Sequence, residues 1–454
     1  MKNTRILILA LLILPLAACD VLDVAPYHSI PEDQAILNRA DVESAITGVY
    51  SSLQAVGYYG RNYLVAGDLA ADNLTWTGTT AGYNQIDNNT ILADNVIVEG
   101  IWSAIYNTIH RANYVIEALP AVVDEDVNMT AEDALVYEAE LLFIRAMAHF
   151  DLARMFGPVP IRTAVASSSE EDLNVPRMPL DDVYEQIFID LEVAAANIGE
   201  TVVRGKASRA AVLAMKARAS LYYYSVTGQT NYLQDAVQHA TDVIEDFGLE
   251  LVSDFATLFE DAPNGESIFE VNFGEQDRNR LAEYFFPTSL SGRREFAPTM
   301  HLFNLFESAD TRRDASIAMD GTNLYGIKYN DIQTGTDNVY VLRLAEMHLL
   351  RAEALVLLEQ DLTVARDDIN AVRTRAGLAE IITTTPFLLQ RQVRNMRQLE
   401  FAFEGHRWFD LVRTGLAIDE LENVHDEYQY LFPIPLGELL TNTHEGMYQN
   451  PGYE

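Results

Sequence analysis

Two stretches of this chain share one pattern, an alanine-rich apolar stripe followed after a short break by a second apolar stripe, and few folds accept it. In "ASRAAVLAMKARASLYYYSVTGQTNYLQDAVQHATDVIEDFG", Ala210, Leu213, Ala214, Ala217 and Leu221 recur at three- and four-residue intervals, which places them on one face of a helix. Leu233, Val237, Ala240, Ile244 and Phe247 form the next stripe. Small residues on facing stripes let two antiparallel helices cross closely, as in tetratricopeptide units. "VLRLAEMHLLRAEALVLLEQDLTVARDDINAVRTRAG" repeats the design, with Leu342, Ala345, Leu349 and Ala352 facing Leu362, Ala365, Ile369, Val372 and Ala376. The two pairs are not tandem. The expected class is mainly α, with tetratricopeptide-like helix pairs as a scaffold and long irregular inserts between them.

Other helices follow from the same spacing. Ala35, Val42, Ala45, Ile46, Val49 and Leu53 mark one, and "EGIWSAIYNTIHRANYVIEAL" another, which Pro120 is expected to stop. Residues 131–156 and 180–198 fit two more, the first ending at Gly157 and Pro158. Residues 57–95 break the period with Gly, Asn, Asp and Thr and read as a loop-rich insert carrying Tyr58, Tyr59, Tyr63, Trp76 and Tyr83. Residues 248–338 read as irregular, with strand-like runs such as "SIFEVNF".

The N-terminus has the form of an export signal over residues 1–18: Lys2 and Arg5 precede the apolar run from Ile6 to Leu14. That run is well short of the roughly 20 residues a membrane-crossing helix needs. Leu16-Ala17-Ala18-Cys19 matches a bacterial lipobox, so Cys19, the only cysteine, is expected to carry the acyl chains that anchor the mature protein. A Pro-bearing tether over 19–34 leads into regions 35–247 and 248–454, read as one structural unit without disulfides. The net charge of −36 repels nucleic acids and anionic lipid surfaces.

Chemistry-bearing motifs are few. "RQLEFAFEGHRWFDLVRTG" packs Glu400, Glu404 and Asp410 among Arg397, Arg407 and Arg413 at helical spacing, which keeps carboxylates ionised and reads as a structural ion-pair network. No HExxH, P-loop, GxSxG or GxGxxG run opening a helix occurs, and no cofactor or metal is implied. The aromatic insert is the better candidate. Sugar rings present apolar C–H faces that lie on Trp and Tyr while Asn, Asp and Arg take up the hydroxyls. Trp76 stands out, because Trp102 and Trp408 lie on predicted helices with apolar neighbours. Tyr83, Asp72, Tyr58 and Arg61 join it, and "RNRLAEYFFPTSLSGRREF", which holds Tyr284, supplies a second wall.

Several segments, in this order, resemble the SusD/RagB family of outer-membrane nutrient-uptake lipoproteins: the lipobox with "DVLDVAP", then "IWSAIYNTIHRANYVIEALP", "AELLFIRAMAHFDLARMFGPVPI", "RLAEMHLLRAEAL", "INAVRTRAGL", "RQLEFAFEGHRWFDLVRTG", "LFPIPLGELL" and "QNPGY". The resemblance implies a helical superhelix of four tetratricopeptide-like units on the outer face of the outer membrane. It also implies a binder rather than an enzyme, which captures an oligosaccharide and acts as the lid of a SusC-like TonB-dependent transporter. Asp20 after the cysteine would signal inner-membrane retention in enteric bacteria, and the full-length resemblance outweighs it. The resemblance supports only the location of a site near Trp76, Tyr83 and Asp72. A peptide ligand is the alternative within binding; an envelope scaffold and a glycosidase are the rivals from other classes.

Overall fold

The computed structural model describes residues 36–166, 169–260 and 263–453; the signal, Cys19 and the tether expected over residues 1–34 lie outside them. Helix α1 (Arg39–Leu53) starts where the Asn38 side chain accepts the Asp41 N–H, and it buries Val42, Ile46, Val49 and Leu53 of the predicted stripe. The segment read as a loop-rich insert is more ordered than expected. It contains α2 (Asn62–Leu69), strand β1 (Leu74–Trp76) and α3 (Ala81–Asp87). Every residue of α2 is buried, so no polar face marks it and periodicity could not reveal it.

Helix α4 (Val96–Glu125) runs straight through Pro120, where a stop was expected. A proline forfeits the bond from its own nitrogen to the carbonyl four residues back. Here that is a single bond to Ile116, five residues from the helix end, and buried Leu119 and Val122 pin the last turn. Helix α5 (Ala131–Phe156) opens on a capping box between Thr130 and Asp133 and packs along α6 (Leu180–Asn197). The first predicted pair is α7 (Arg209–Thr227) and α8 (Thr230–Asp246), turned back by Gly228 at φ +69°.

The middle of the chain holds β2 (Ser267–Val271), α9 (Leu281–Phe285), β3 (Phe296–Pro298), α10 (Thr311–Ser316), β4 (Ile317–Asp320) and β5 (Asn323–Gly326). Strand β6 (Val339–Arg343) then leads directly into α11 (Leu344–Leu358) and α12 (Leu362–Arg375), the second predicted pair. Leu342, read as part of that helical stripe, belongs to β6 instead, because it pairs with Phe269 of β2. The sheets are antiparallel pairs, β1 with β3, β2 with β6 and β4 with β5. Helix α8 lies along α11, so the two helix pairs are neighbours in space. Helices α13 (Pro386–Glu400), α14 (Arg407–Arg413) and α15 (Leu436–Thr441) complete the chain. The fold is mostly helical, and among the described residues no helix is long and apolar enough to cross a membrane.

The charged C-terminal motif is a buried ion network, but its partners come from far along the chain. Glu400 meets Arg343 at 2.5 Å, Arg312 at 3.1 Å and also Arg375. Glu404 takes Lys328 and Arg343, each at 2.8 Å, and Glu266 takes Arg343 and Arg375, each at 2.9 Å. Burial alone would raise the Glu400 carboxyl; Arg375, Arg343 and Arg312 together hold it well below the usual carboxylate range. Asp410 is the one carboxylate of the motif paired within it, to Arg397 and Arg413 at 2.8 Å each.

Two predictions follow from this network. Glu400→Gln leaves three buried guanidiniums short of a charge and costs about 3–5 kcal/mol, read as a loss of urea-unfolding free energy; a loss under about 1 kcal/mol would mean the charges are already screened. The second concerns acid. Burial alone would raise Asp410, yet Arg397 and Arg413 bring it down to about 2, against roughly 3.9 unfolded. A depressed carboxylate stabilises above its unfolded value and loses that contribution, about 2 kcal/mol, as the pH falls toward its folded value. Stability is expected to drop between pH 4 and 2, with Asp410→Asn less stable at pH 7 and shallower in its acid limb. Parallel limbs would contradict the assignment.

Candidate functional site

Pairing of β1 with β3 sets Trp76 opposite Phe296, bridging segments about 220 residues apart. The Trp76 ring then lies 4.6 Å from Tyr83 and 5.1 Å from Phe296, and Tyr83 meets Phe296 edge-on at 5.1 Å. Tyr284, on α9, stacks on the same phenylalanine at 5.5 Å. Over Tyr284 lie two guanidiniums, Arg61 at 4.2 Å and Arg293 at 4.6 Å. The structure thus gathers Arg61, Trp76, Tyr83 and Tyr284, predicted on two separate segments, into one aromatic and arginine cluster. Local bonds hold the parts. The Tyr83 hydroxyl donates to Asn62 Oδ1 at 2.6 Å, and the Trp76 backbone N–H donates to Asp87 Oδ2 at 3.0 Å.

The cluster is not the open platform the sequence suggested. Trp76 is only 8% exposed, because strand geometry turns it inward among rings. A Cβ on Gly78 would come within 2.4 Å of the indole Cζ2, so glycine lets the chain between exposed Thr77 and Thr79 lie against the ring. Removing the indole would therefore open a cavity costing about 3–5 kcal/mol, and Trp76→Ala would test folding as much as binding. The Trp76 indole N–H has no protein acceptor, which is uncommon for a buried donor.

Tyr58 is a clear correction. It is fully buried, and its hydroxyl donates to Asp151 at 2.7 Å, as does that of Tyr59 at 2.7 Å, while Tyr63 donates to the other carboxylate oxygen. Arg154 closes the set with an ion pair to Asp151 at 2.9 Å. These tyrosines seal the insert onto α5 and are out of a ligand's reach. Asp72 does not join the aromatic cluster. Arg407 grips it with two bonds at 2.7 and 2.9 Å, and it lines a polar cavity of about 370 Å³ with Thr75, Asp87, His301 and Glu420.

Sequence reasoning passed over two features. Phe296 is the hub on which Trp76, Tyr83 and Tyr284 all pack, and only the β1–β3 pairing reveals it. Trp102, read as helix packing, lines a second cavity of about 260 Å³ with Tyr106, which sequence reasoning did not single out, and with His110, Arg162 and Glu438. Their spacing at i, i+4 and i+8 on α4 would have placed Trp102, Tyr106 and His110 on one face. No group of three or more His, Cys, Asp or Glu suited to hold a metal occurs among the described residues.

The comparisons agree with this architecture. Residues 20–221 match a family model described as starch-binding, associating with the outer membrane, and residues 325–453 match the SusD family model. A SusD-like protein P2 of Formosa agariphila is 28% identical, the match covering all of both chains. A SusD superfamily crystal structure from Parabacteroides distasonis superposes with a TM-score of 0.81 at 25% identity, covering 90% of this chain and 99% of that one. A structure described as a laminarin-binding SusD-like protein gives 0.80 at 24% identity over 92% and 100% of the two chains. In sequence and in fold, this chain belongs to the SusD/RagB family.

Proposed function

We propose that the protein captures an oligosaccharide at the surface of the aromatic and arginine cluster, without breaking bonds, and presents it to a SusC-like TonB-dependent transporter as its lid. Cys19 would tether it by lipid to the outer membrane, facing the cell exterior. The observation that carries the reading is the meeting of Arg61, Trp76, Tyr83 and Tyr284 around Phe296. The exposed edges of Trp76 and Tyr284, 8% each, supply apolar contact for sugar C–H groups, and the guanidiniums over Tyr284 supply fixed forks for hydroxyls. The starch-binding family model and the laminarin-binding structural relative point to the same ligand class.

The carboxylates of the C-terminal motif do not supply a glycosidase acid. A glycosidase acid needs a raised pKa beside an ionised partner, whereas buried Glu400, Glu404 and Asp410 are all held low by arginines or lysine.

Tyr284→Leu removes the ring and its hydroxyl and leaves a smaller apolar side chain in a buried site packed on Phe296. Loss of an aromatic contact of about 0.5–1.5 kcal/mol predicts affinity for the bound glycan falling by up to about tenfold, in calorimetry against a panel of plant, algal and microbial oligosaccharides run well below the variant's thermal midpoint, which the smaller buried side chain lowers. Unaltered affinity would remove this face from the site. Release of shorter products from any bound glycan would favour hydrolysis, and preferential binding of peptides would favour the peptide alternative.

A further inference from the structure

The arginines of this acidic chain have a rule, and Arg61 departs from it. Where guanidiniums are buried they meet carboxylates: Arg145 with Asp190, Arg154 with Asp151, Arg218 with Glu346, Arg397 with Asp410 and Arg413 with Glu353. Arg177 instead is caged by the carbonyls of Phe156, Pro158 and Tyr448. Arg61 has neither arrangement. It is half-buried over Tyr284; its Nε donates to Asn62 Oδ1 at 3.2 Å and the guanidinium also faces the Tyr83 hydroxyl. Among the described residues no carboxylate pairs with it, although acidic residues outnumber basic ones 67 to 31.

Its surroundings do not supply the missing charge either. The nearby carboxylates, Glu283 and Glu295, are taken by Arg280 at 2.5 Å and by Arg293. Arg294, next in the chain, donates its Nε to the Leu324 carbonyl at 2.8 Å. Three guanidiniums, Arg61, Arg280 and Arg293, therefore share two carboxylates around Tyr284, a local cationic excess in a chain of net charge −36. Repulsion by the rest of the surface is screened beyond about 8 Å at physiological ionic strength, so this spot can still take an anion that the molecule as a whole repels. The opposite side of β1 has the reverse character: Asp72, Asp87, Glu420 and Glu422 line that cavity.

We infer that the oligosaccharide bound at this cluster carries an anionic group, a carboxylate or a sulfate, which the free edge of the Arg61 guanidinium receives while Tyr284 backs its face. This rests on the oligosaccharide reading above and adds the ligand's charge. Planar forked recognition of carboxylate or sulfate is what arginine offers and lysine does not. Neutral sugars would use the same edge through hydroxyls, without sensitivity to salt.

The test compares three probes of matched length on the full mature protein: a neutral β-glucan oligosaccharide, a uronic-acid oligosaccharide and a sulfated galactan oligosaccharide. The inference expects one anionic probe to bind at least tenfold tighter than the neutral one, to weaken at least fivefold between 50 and 500 mM NaCl, and to lose at least tenfold in Arg61→Gln. Whichever anionic probe does so separates uronate from sulfate. Arg61→Lys should recover only part, since it restores charge without the fork, and thermal midpoints of both variants show that the fold persists. Equal binding of neutral and anionic probes, with Arg61→Gln weakening both alike, overturns the anionic assignment and leaves oligosaccharide capture standing. Failure of every glycan to bind overturns both.

Discussion

Glu400 sits fully buried with three arginines around it, and much of the molecule is arranged to make that possible. Each of its partners arrives on a different element: Arg343 ends β6, Arg312 lies on α10, and Arg375 ends α12. Taking such charges out of water costs several kcal/mol per ion, repaid only when geometry and pairing are complete. A network of this kind rewards one assembly of the segments and penalises the others. It is a determinant of which elements meet more than a source of net stability.

The network also reaches the candidate site through a single turn. Residues 401–406 connect α13, which ends on Glu400, to α14, which begins with Arg407. Within that turn Phe403 and Gly405 adopt left-handed backbone, at φ +69° and +77°. The Gly405 N–H donates to buried Asp68 at 2.8 Å, and Gly67 approaches so closely that a Cβ would come within 2.3 Å of the Gly405 carbonyl oxygen. Burial pushes the Asp68 carboxyl up to about 6 even with these donors. Helix α2 is thus clamped onto the C-terminal turn, while Arg407 holds Asp72 just beyond it. Arg61, which caps α2 at its other end, inherits its position from that clamp.

What was legible in the sequence follows from the range of the interactions. The helix pairs could be read because their stripes are local and periodic, and α7, α8, α11 and α12 lie where the stripes placed them. Pro120 misled because its cost is one hydrogen bond near a helix end, smaller than the burial of its neighbours. Trp76, Tyr58 and Asp72 were recognised as chemically notable, but exposure depends on partners that local pattern does not contain. Phe296 covers Trp76, Asp151 takes Tyr58 and Arg407 takes Asp72, each from at least 90 positions away. The ion pairs show the same limit: residue types at helical spacing announced a network, yet its principal bonds run to Arg343, Arg312, Arg375 and Lys328.

This division between local scaffold and distant pairing bears on how such a molecule can change its ligand. The helix pairs and the buried network fix the backbone of α2, β1 and β3 without using the outward groups of the cluster. Arg61, Arg293 and the exposed Thr79 and Thr80 carry no part of that network. Substitution of these groups alters charge and shape where a ligand would lie while leaving Glu400 and its arginines undisturbed. The buried rings beneath cannot vary so freely, because Trp76, Tyr83, Phe296 and Tyr284 pack on one another and a change in any one is felt by the rest. On the oligosaccharide reading proposed above, ligand choice at this cluster would be set by the polar rim, since the rings beneath it are almost wholly buried.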